Sequence, residues 1–126
     1  MTYGQEVQPK EILCEIRVPT TAKSVAYVKS AQKASGFAIA GIAAVVDKAR
    51  RTAAIGISGV AAKPYRATAV ERALGGTLTM ETVATAASKA AQGVDPLGDI
   101  HASAEFRAHL AEVNTRRALE LALSRT

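Results

Sequence analysis

Residues 37–62 constrain the fold of this chain more than any other stretch. They read Phe-Ala-Ile-Ala-Gly-Ile-Ala-Ala-Val-Val, then Asp47-Lys48-Ala49-Arg50-Arg51, then Thr-Ala-Ala-Ile-Gly-Ile-Ser-Gly-Val-Ala-Ala. Two apolar runs of strand length around one short charged break are the pattern of a β-hairpin with at least one buried face. The break has no Asn-Gly or Asp-Gly pair, so a loop of about three to five residues is expected rather than a two-residue turn. Gly41, Gly56 and Gly59 are poor strand residues unless something packs close to the backbone. Alanines alternate with them, which predicts a helix layer lying directly on that face.

Before the hairpin, residues 10–18 alternate imperfectly, with Ile12, Cys14, Ile16 and Val18 sharing one strand face. Pro19 is expected to stop that strand or keep it at an edge. Residues 24–30, rich in β-formers, predict a second strand, and residues 31–36 a small polar loop. That loop has nothing obvious to anchor it and is expected to be mobile.

After the hairpin the period lengthens to that of a helix. Pro64 suits a first helical turn and Gly75-Gly76 its end, with Ala67, Val70 and Leu74 on one face. Thr79 is the expected N-cap of a second helix, with Glu81 in its first turn. Val83, Ala87, Ala90 and Val94 form its apolar stripe, and Gly93 and Pro96 close it. Ser103 is the expected N-cap of a third helix running to about Ser124, with Phe106, Leu110, Val113 and Leu121 as its buried stripe. Arg117 falls inside that stripe and predicts a paired carboxylate, Asp95 or Asp99. The sum is α+β: an antiparallel sheet of about four strands followed by three helices packed on it, one domain over residues 1–126.

At 126 residues and 48% hydrophobic, the chain is long and apolar enough for a core of its own. It has no apolar run of about 18 residues, no visible secretion signal and one cysteine, so a cytoplasmic chain without a membrane span is expected. The charge of +5 is scattered, its densest points being Arg50-Arg51 and Arg116-Arg117, and aromatics are 4%, which argues against nucleic acid. His101 and His109 lack the spacing of a helical metal site, and one cysteine makes no zinc cluster, so no metal is expected. Gly56-Ile57-Ser58-Gly59 has its second glycine one position early for a nucleophile elbow and lies in a strand. No glycine-rich phosphate loop is present, and catalysis by this chain alone is not expected.

Three stretches carry a family resemblance. They are Val60-Ala-Ala-Lys-Pro64-Tyr65-Arg66-Ala-Thr-Ala-Val70-Glu71, then Asp95-Pro96-Leu97-Gly-Asp99-Ile-His-Ala102-Ser103-Ala104-Glu105-Phe106-Arg107-Ala-His-Leu110, then Thr115-Arg116-Arg117-Ala118-Leu119. They resemble the C-terminal domain of the FAD-binding medium (flavoprotein) subunit of molybdenum hydroxylases, most of all that of aerobic carbon monoxide dehydrogenases. The earlier segments 11–19 and 26–38 are similar too, so the likeness runs over residues 4–125. Its most specific part is the Ala-Ser-Ala-Glu-aromatic-Arg motif at 102–107.

The resemblance implies an oxidoreductase assembly in which FAD passes electrons from two 2Fe-2S clusters to an external acceptor. The clusters belong to an iron–sulfur small subunit and receive electrons from a molybdenum cofactor in the large subunit, which also selects the substrate. Most flavin contacts in the family come from N-terminal domains that precede this one, so this chain is not expected to bind FAD tightly. It would help to close the flavin site and contact the partner subunits. Only the loop at 29–36 would approach the isoalloxazine ring, with Lys29 as the candidate cofactor-binding residue. A fixed positive charge there would favour the anionic reduced ring; the plain alternative for Lys29 is a solvent-facing strand lysine. Glu105 and Arg107 are expected to cap and pair within the domain, or else to meet a neighbouring subunit. The rival to the whole reading is a free-standing α+β module that binds an acidic protein or RNA.

Overall fold

A computed structural model describes residues 7–18, 20 and 23–125. Strands β1 (Ser24–Ala31), β2 (Ala38–Asp47), β3 (Thr52–Ser58) and the short β4 (Tyr65–Arg66) form an antiparallel sheet in the order β1-β2-β3-β4. Helices α1 (Thr68–Leu74), α2 (Met80–Ala87) and α3 (Ala104–Ser124) follow. The central hairpin forms as its pattern requires. Ile42 stands opposite Ile57 and Ala44 opposite Ile55. Residues 48–51 make the turn, closed by Arg51 in a left-handed conformation at φ +53°.

The sheet has the expected number of strands but a different membership. Residues 11–18 are exposed and lie outside it. Cys14, expected to be buried, is a free, exposed thiol. The expected role of Pro19 lies outside the described residues. The fourth strand comes instead from Tyr65 and Arg66, opposite Ile57 and Gly56. The helix whose first turn Pro64 suits begins only at Thr68. Tyr65 is held there by its hydroxyl, which donates to the Ala90 carbonyl at 3.0 Å. Burial pushes its phenol up to about 12.

The helices cover one face of the sheet, where Ala40, Ile42, Ala44, Val46, Ile55 and Ile57 are buried. Side chains alternate along a strand, so Gly41, Ala43, Ala54 and Gly56 fall on the opposite face. The glycines therefore do not mark the helix contact, which corrects the expectation. Gly41 is covered by the sheet itself: a Cβ there would meet the Tyr27 hydroxyl at 2.6 Å and Ser58 Oγ at 2.9 Å. An aromatic ring reaching across from a neighbouring strand shields the bare backbone.

Short-range helix signals hold well. Ala67, Val70 and Leu74 are buried, and α1 stops at Gly75 in the left-handed region, φ +52°. Thr79 Oγ1 accepts from Thr82 N at 3.3 Å while Thr82 Oγ1 accepts from Thr79 N at 3.0 Å, a reciprocal cap on α2. Thr79→Ala is expected to cost about 1 kcal/mol, read as a lower denaturant midpoint at unchanged slope. Helix α2 ends at Ala87, before the expected Gly93 and Pro96. Bonds of i to i−3 type, such as Lys89 N to Ala86 O and Ala90 N to Ala87 O, carry the chain on as tight turns that still bury Ala90.

Helix α3 has the expected limits but presents a different face. Phe106 and Leu121 are exposed, while Arg107, Ala111, Asn114, Thr115, Ala118, Leu119 and Ala122 are buried. The helix packs on β2, whose inward residues include Ala40 and Ala44. Small residues on both sides suit close contact there, Leu119 is buried with them and Leu110 packs half-buried against the core, while Phe106 and Leu121 lie at the flanks. Arg117 turns outward with them and forms no ion pair with Asp95 or Asp99 among the described residues. The buried arginine is Arg107, and Asp99 is its partner.

Candidate functional site

The loop between β1 and β2 is the stretch singled out for function, and local chemistry shapes it. Strand β1 ends in a register shift between Ser30 and Ala31. Gln32 N then donates to Phe37 O at 2.9 Å, and Gly36 N to Gln32 O at 2.8 Å. The Gln32 side-chain oxygen accepts from Ser35 N at 2.6 Å and from Ser35 Oγ at 2.7 Å. Gly36, at φ +72°, turns the chain back. Lys29 Nζ closes the mouth by donating to Gly36 O at 3.0 Å. The expectation of a loop without anchors is thus corrected: the short polar side chains that suggested looseness tie it together.

Helix α3 grips both stems of the loop. Asn114 Nδ2 donates to Ser30 Oγ at 2.8 Å and to Ala40 O at 3.3 Å. Two turns closer to the helix start, Arg107 Nη1 donates to Ile39 O at 3.0 Å and Gly59 O at 2.7 Å. Its Nη2 donates to Asp99 Oδ2 at 2.6 Å. Asp99 Oδ1 in turn accepts from the backbone N–H of His101 and of Ala102. The Arg107 hydrogen bond, helped by these amides, lowers the Asp99 carboxyl to about 2. Arg107 Nε, Asn114 Oδ1 and Thr115 Oγ1 are buried without a hydrogen-bond partner.

The motif at 102–107 therefore divides in two. Arg107 pairs within the domain, the favoured of the two readings given for it. Glu105 stays exposed in the first turn of α3, where its own backbone N–H and the Ser103 hydroxyl hold its carboxyl below the usual range. Ser103 Oγ also accepts from Phe106 N at 3.2 Å, the expected cap. Asn114 was not singled out from the sequence. A polar residue seven positions after Arg107 on a helix otherwise lined with alanine was the available signal.

Lys29 is exposed on the face of the sheet that the helices leave open. Phe37, at the far stem of the loop, is 78% exposed. A shallow groove of about 650 Å³ crosses the same face, lined by Tyr27, Gly41, Ala43, Val45, Ala54 and Gly56 among others. Ser58 Oγ donates to Gly41 O at 3.4 Å within the sheet, and no base stands beside it. His101 and His109 join no cluster of three metal-ligating side chains among the described residues. The arrangement offers a tethered cation and an exposed ring on the sheet, and no nucleophile–base pair among the described residues.

Comparison with known proteins converges on one family. The profile of the CO dehydrogenase flavoprotein C-terminal domain matches residues 25–122. The chain is 32% identical to the carbon monoxide dehydrogenase medium chain of Hydrogenophaga pseudoflava, over 98% of this chain and 45% of that one. It is 31% identical to the 6-hydroxypseudooxynicotine dehydrogenase complex subunit alpha of Paenarthrobacter nicotinovorans, over 98% of this chain and 44% of the other. A solved structure of Hydrogenophaga pseudoflava carbon monoxide dehydrogenase, in a form lacking the Mo-pyranopterin moiety of its cofactor, superposes with a TM-score of 0.84 at 34% identity. That superposition covers 98% of this chain and 45% of the other. The chain thus spans a little under half the length of the curated relatives it matches. The antiparallel sheet with three helices, the superposition and the match over residues 25–122 agree: this chain belongs to the CO dehydrogenase flavoprotein C-terminal domain family.

Proposed function

We propose that the chain serves as the C-terminal domain of the FAD-carrying medium subunit of a molybdenum hydroxylase, closing one edge of the flavin site and turning over nothing by itself. The observation that carries this reading is the rigid loop at 29–36, which holds the Lys29 ammonium at the rim of an uncovered sheet face. These residues suit one edge of a flavin and no more. A cation and an exposed ring can face an aromatic cofactor, but nothing among the described residues cradles a pyrophosphate. Tight binding therefore belongs to a flavin-binding part such as the relatives' additional length would supply.

FAD in such an assembly relays electrons from iron–sulfur clusters to an external acceptor. Lys29 contributes a fixed positive charge, which favours extra electron density nearby and raises the flavin's reduction potential. Partners in this reading are the flavin-binding domains, the iron–sulfur small subunit and the molybdenum large subunit. A cytoplasmic complex is part of it, and rests on Cys14 being a single free thiol. Among the described residues no helix is long and apolar enough to cross a membrane.

The test is a chimera: the Hydrogenophaga pseudoflava medium chain with the part aligned to this chain replaced by it, assembled with that enzyme's other subunits. The chimera is expected to retain flavin through gel filtration, whereas this chain alone, incubated with FAD, elutes colourless. In the chimera Lys29→Met is expected to lower the flavin potential by tens of millivolts, roughly what one charge at about 8 Å supplies at an effective dielectric of about 20. Substrate oxidation at molybdenum should be unchanged. Equal potentials and equal turnover would leave Lys29 an ordinary surface lysine.

A further inference from the structure

Residues 11–18 carry an unspent strand pattern. Ile12, Ile16 and Val18 alternate with Glu11, Glu15 and Arg17, yet the three apolar side chains are 84%, 74% and 81% exposed. With Cys14 these residues share one strand face, though Leu13, also exposed, falls on the other, and such bare apolar side chains are what a strand shows when its sheet is elsewhere. The segment is also extended already. Arg17 Nε and Nη2 donate to the two Glu15 carboxylate oxygens at 2.7 and 3.1 Å. Side chains two positions apart meet in this way only when both leave the same face of an extended chain. Among the described residues the hydrogen bonds along it are local, such as Cys14 Sγ to Ile12 O and Glu11 N to Gln8 O.

Among the described residues the segment pairs with no strand of this domain's sheet. At the nearest edge, that of β1, the Val25 carbonyl already accepts from Arg125 at 2.6 Å. The family profile begins after the segment, while the superposition on the Hydrogenophaga pseudoflava chain leaves only about 2% of this chain uncovered and so takes it in. It is a placed element that lies outside the domain's own core.

We infer that residues 11–18 form a β-strand that completes a sheet in the flavin-binding part of a medium subunit, with Ile12, Ile16 and Val18 entering that part's core. The inference rests on the reading proposed above and names the segment that makes the joint. Main-chain hydrogen bonds along an open sheet edge supply affinity, and pockets for alternate side chains supply register. The Glu15–Arg17 pair then lies on the outer face, where charge costs nothing.

The same chimera tests it by amide hydrogen exchange. Residues 12–18 are expected to exchange at unstructured-chain rates in this chain alone and about 100-fold or more slowly in the flavin-loaded chimera. Ile16→Pro, which removes a ladder donor, should leave the melting temperature of this chain within about 1 °C. In the chimera it should strip flavin and abolish the protection. Flavin retained with fast exchange at 12–18, or with no effect of Ile16→Pro, overturns the inference and leaves the proposed function standing. A chimera that holds no flavin overturns both.

Discussion

Replacing Arg107 by Met is expected to destabilise the domain by about 3 kcal/mol, a fall of roughly 10 °C in melting temperature for a chain of this size. Methionine keeps most of the buried stem but donates to nothing. Ile39 O and Gly59 O then lose a donor each, Asp99 loses its cation, and the start of α3 loses its tie to the sheet. Lysine should not rescue the loss. One ammonium on a flexible stem does not reproduce a planar fork that reaches two carbonyls and a carboxylate at once. Denaturant melts of the three proteins decide the point, and a Met variant within about 0.5 kcal/mol of the parent would show the pair to be ornamental.

The acid limb carries the same signature. The Asp99 carboxyl titrates at about 2 in the folded protein, below the usual 3.8. A depressed folded value means stability that is full above about pH 4 and is lost as pH falls toward 2. Its carboxylate is 43% exposed, so water screens part of the effect. The stability gap between the parent and Arg107→Met is therefore expected to narrow over that interval, because the parent alone has the ion pair to lose.

Gly59→Ala is the second large effect, on the order of 3 kcal/mol from backbone strain and overpacking together. Gly59 lies at φ +80°, and a Cβ there would run into the Ala38 carbonyl oxygen and come within 3.0 Å of Ile39 O. Backbone cannot swing aside as a side-chain tip can, so β2 would have to move, and with it a carbonyl that Arg107 holds. Gly36→Ala separates the two contributions. Its φ is +72° but nothing lies within 4 Å, so it should show only the left-handed cost, about 1–2 kcal/mol. Equal losses at the two positions would mean that the contact with β2 contributes nothing.

These two residues also show where sequence reading works and where it stops. Short-range signals were legible: the charged break at residues 48–51, the caps at Thr79 and Ser103, and the limits of α3 follow from residues a few positions apart. What failed depended on distant neighbours. The glycines of β2 and β3 suggested a covering helix, when Tyr27 from β1 covers Gly41. Phe106 and Leu121 suggested the buried face of α3, when the face against Ala40 and Ala44 carries Ala111, Ala118 and Ala122 with Arg107, Asn114 and Leu119. Arg117 looked like the charge in need of a partner because it sat among leucines, and Arg107 was the one turned inward. The strand expected at 10–18 rests on an imperfect alternation, and residues 11–18 lie exposed outside this sheet. Lys29 is a candidate through family likeness alone, since no local pattern distinguishes it from any other strand lysine.

The grip of α3 on the β1–β2 loop also sets an order of events in time. The hairpin contacts of β1, β2 and β3 are short-range and can close as soon as those strands exist. The side chains that fix the loop's two stems lie 68 to 84 positions further along: Arg107 to Ile39, Asn114 to Ala40, Asn114 to Ser30. During synthesis the sheet can take shape while those donors are still unmade. The loop that follows Lys29 is thus fixed last, when the final helix docks, and a chain stalled before residue 107 would own a sheet whose loop stems no helix holds.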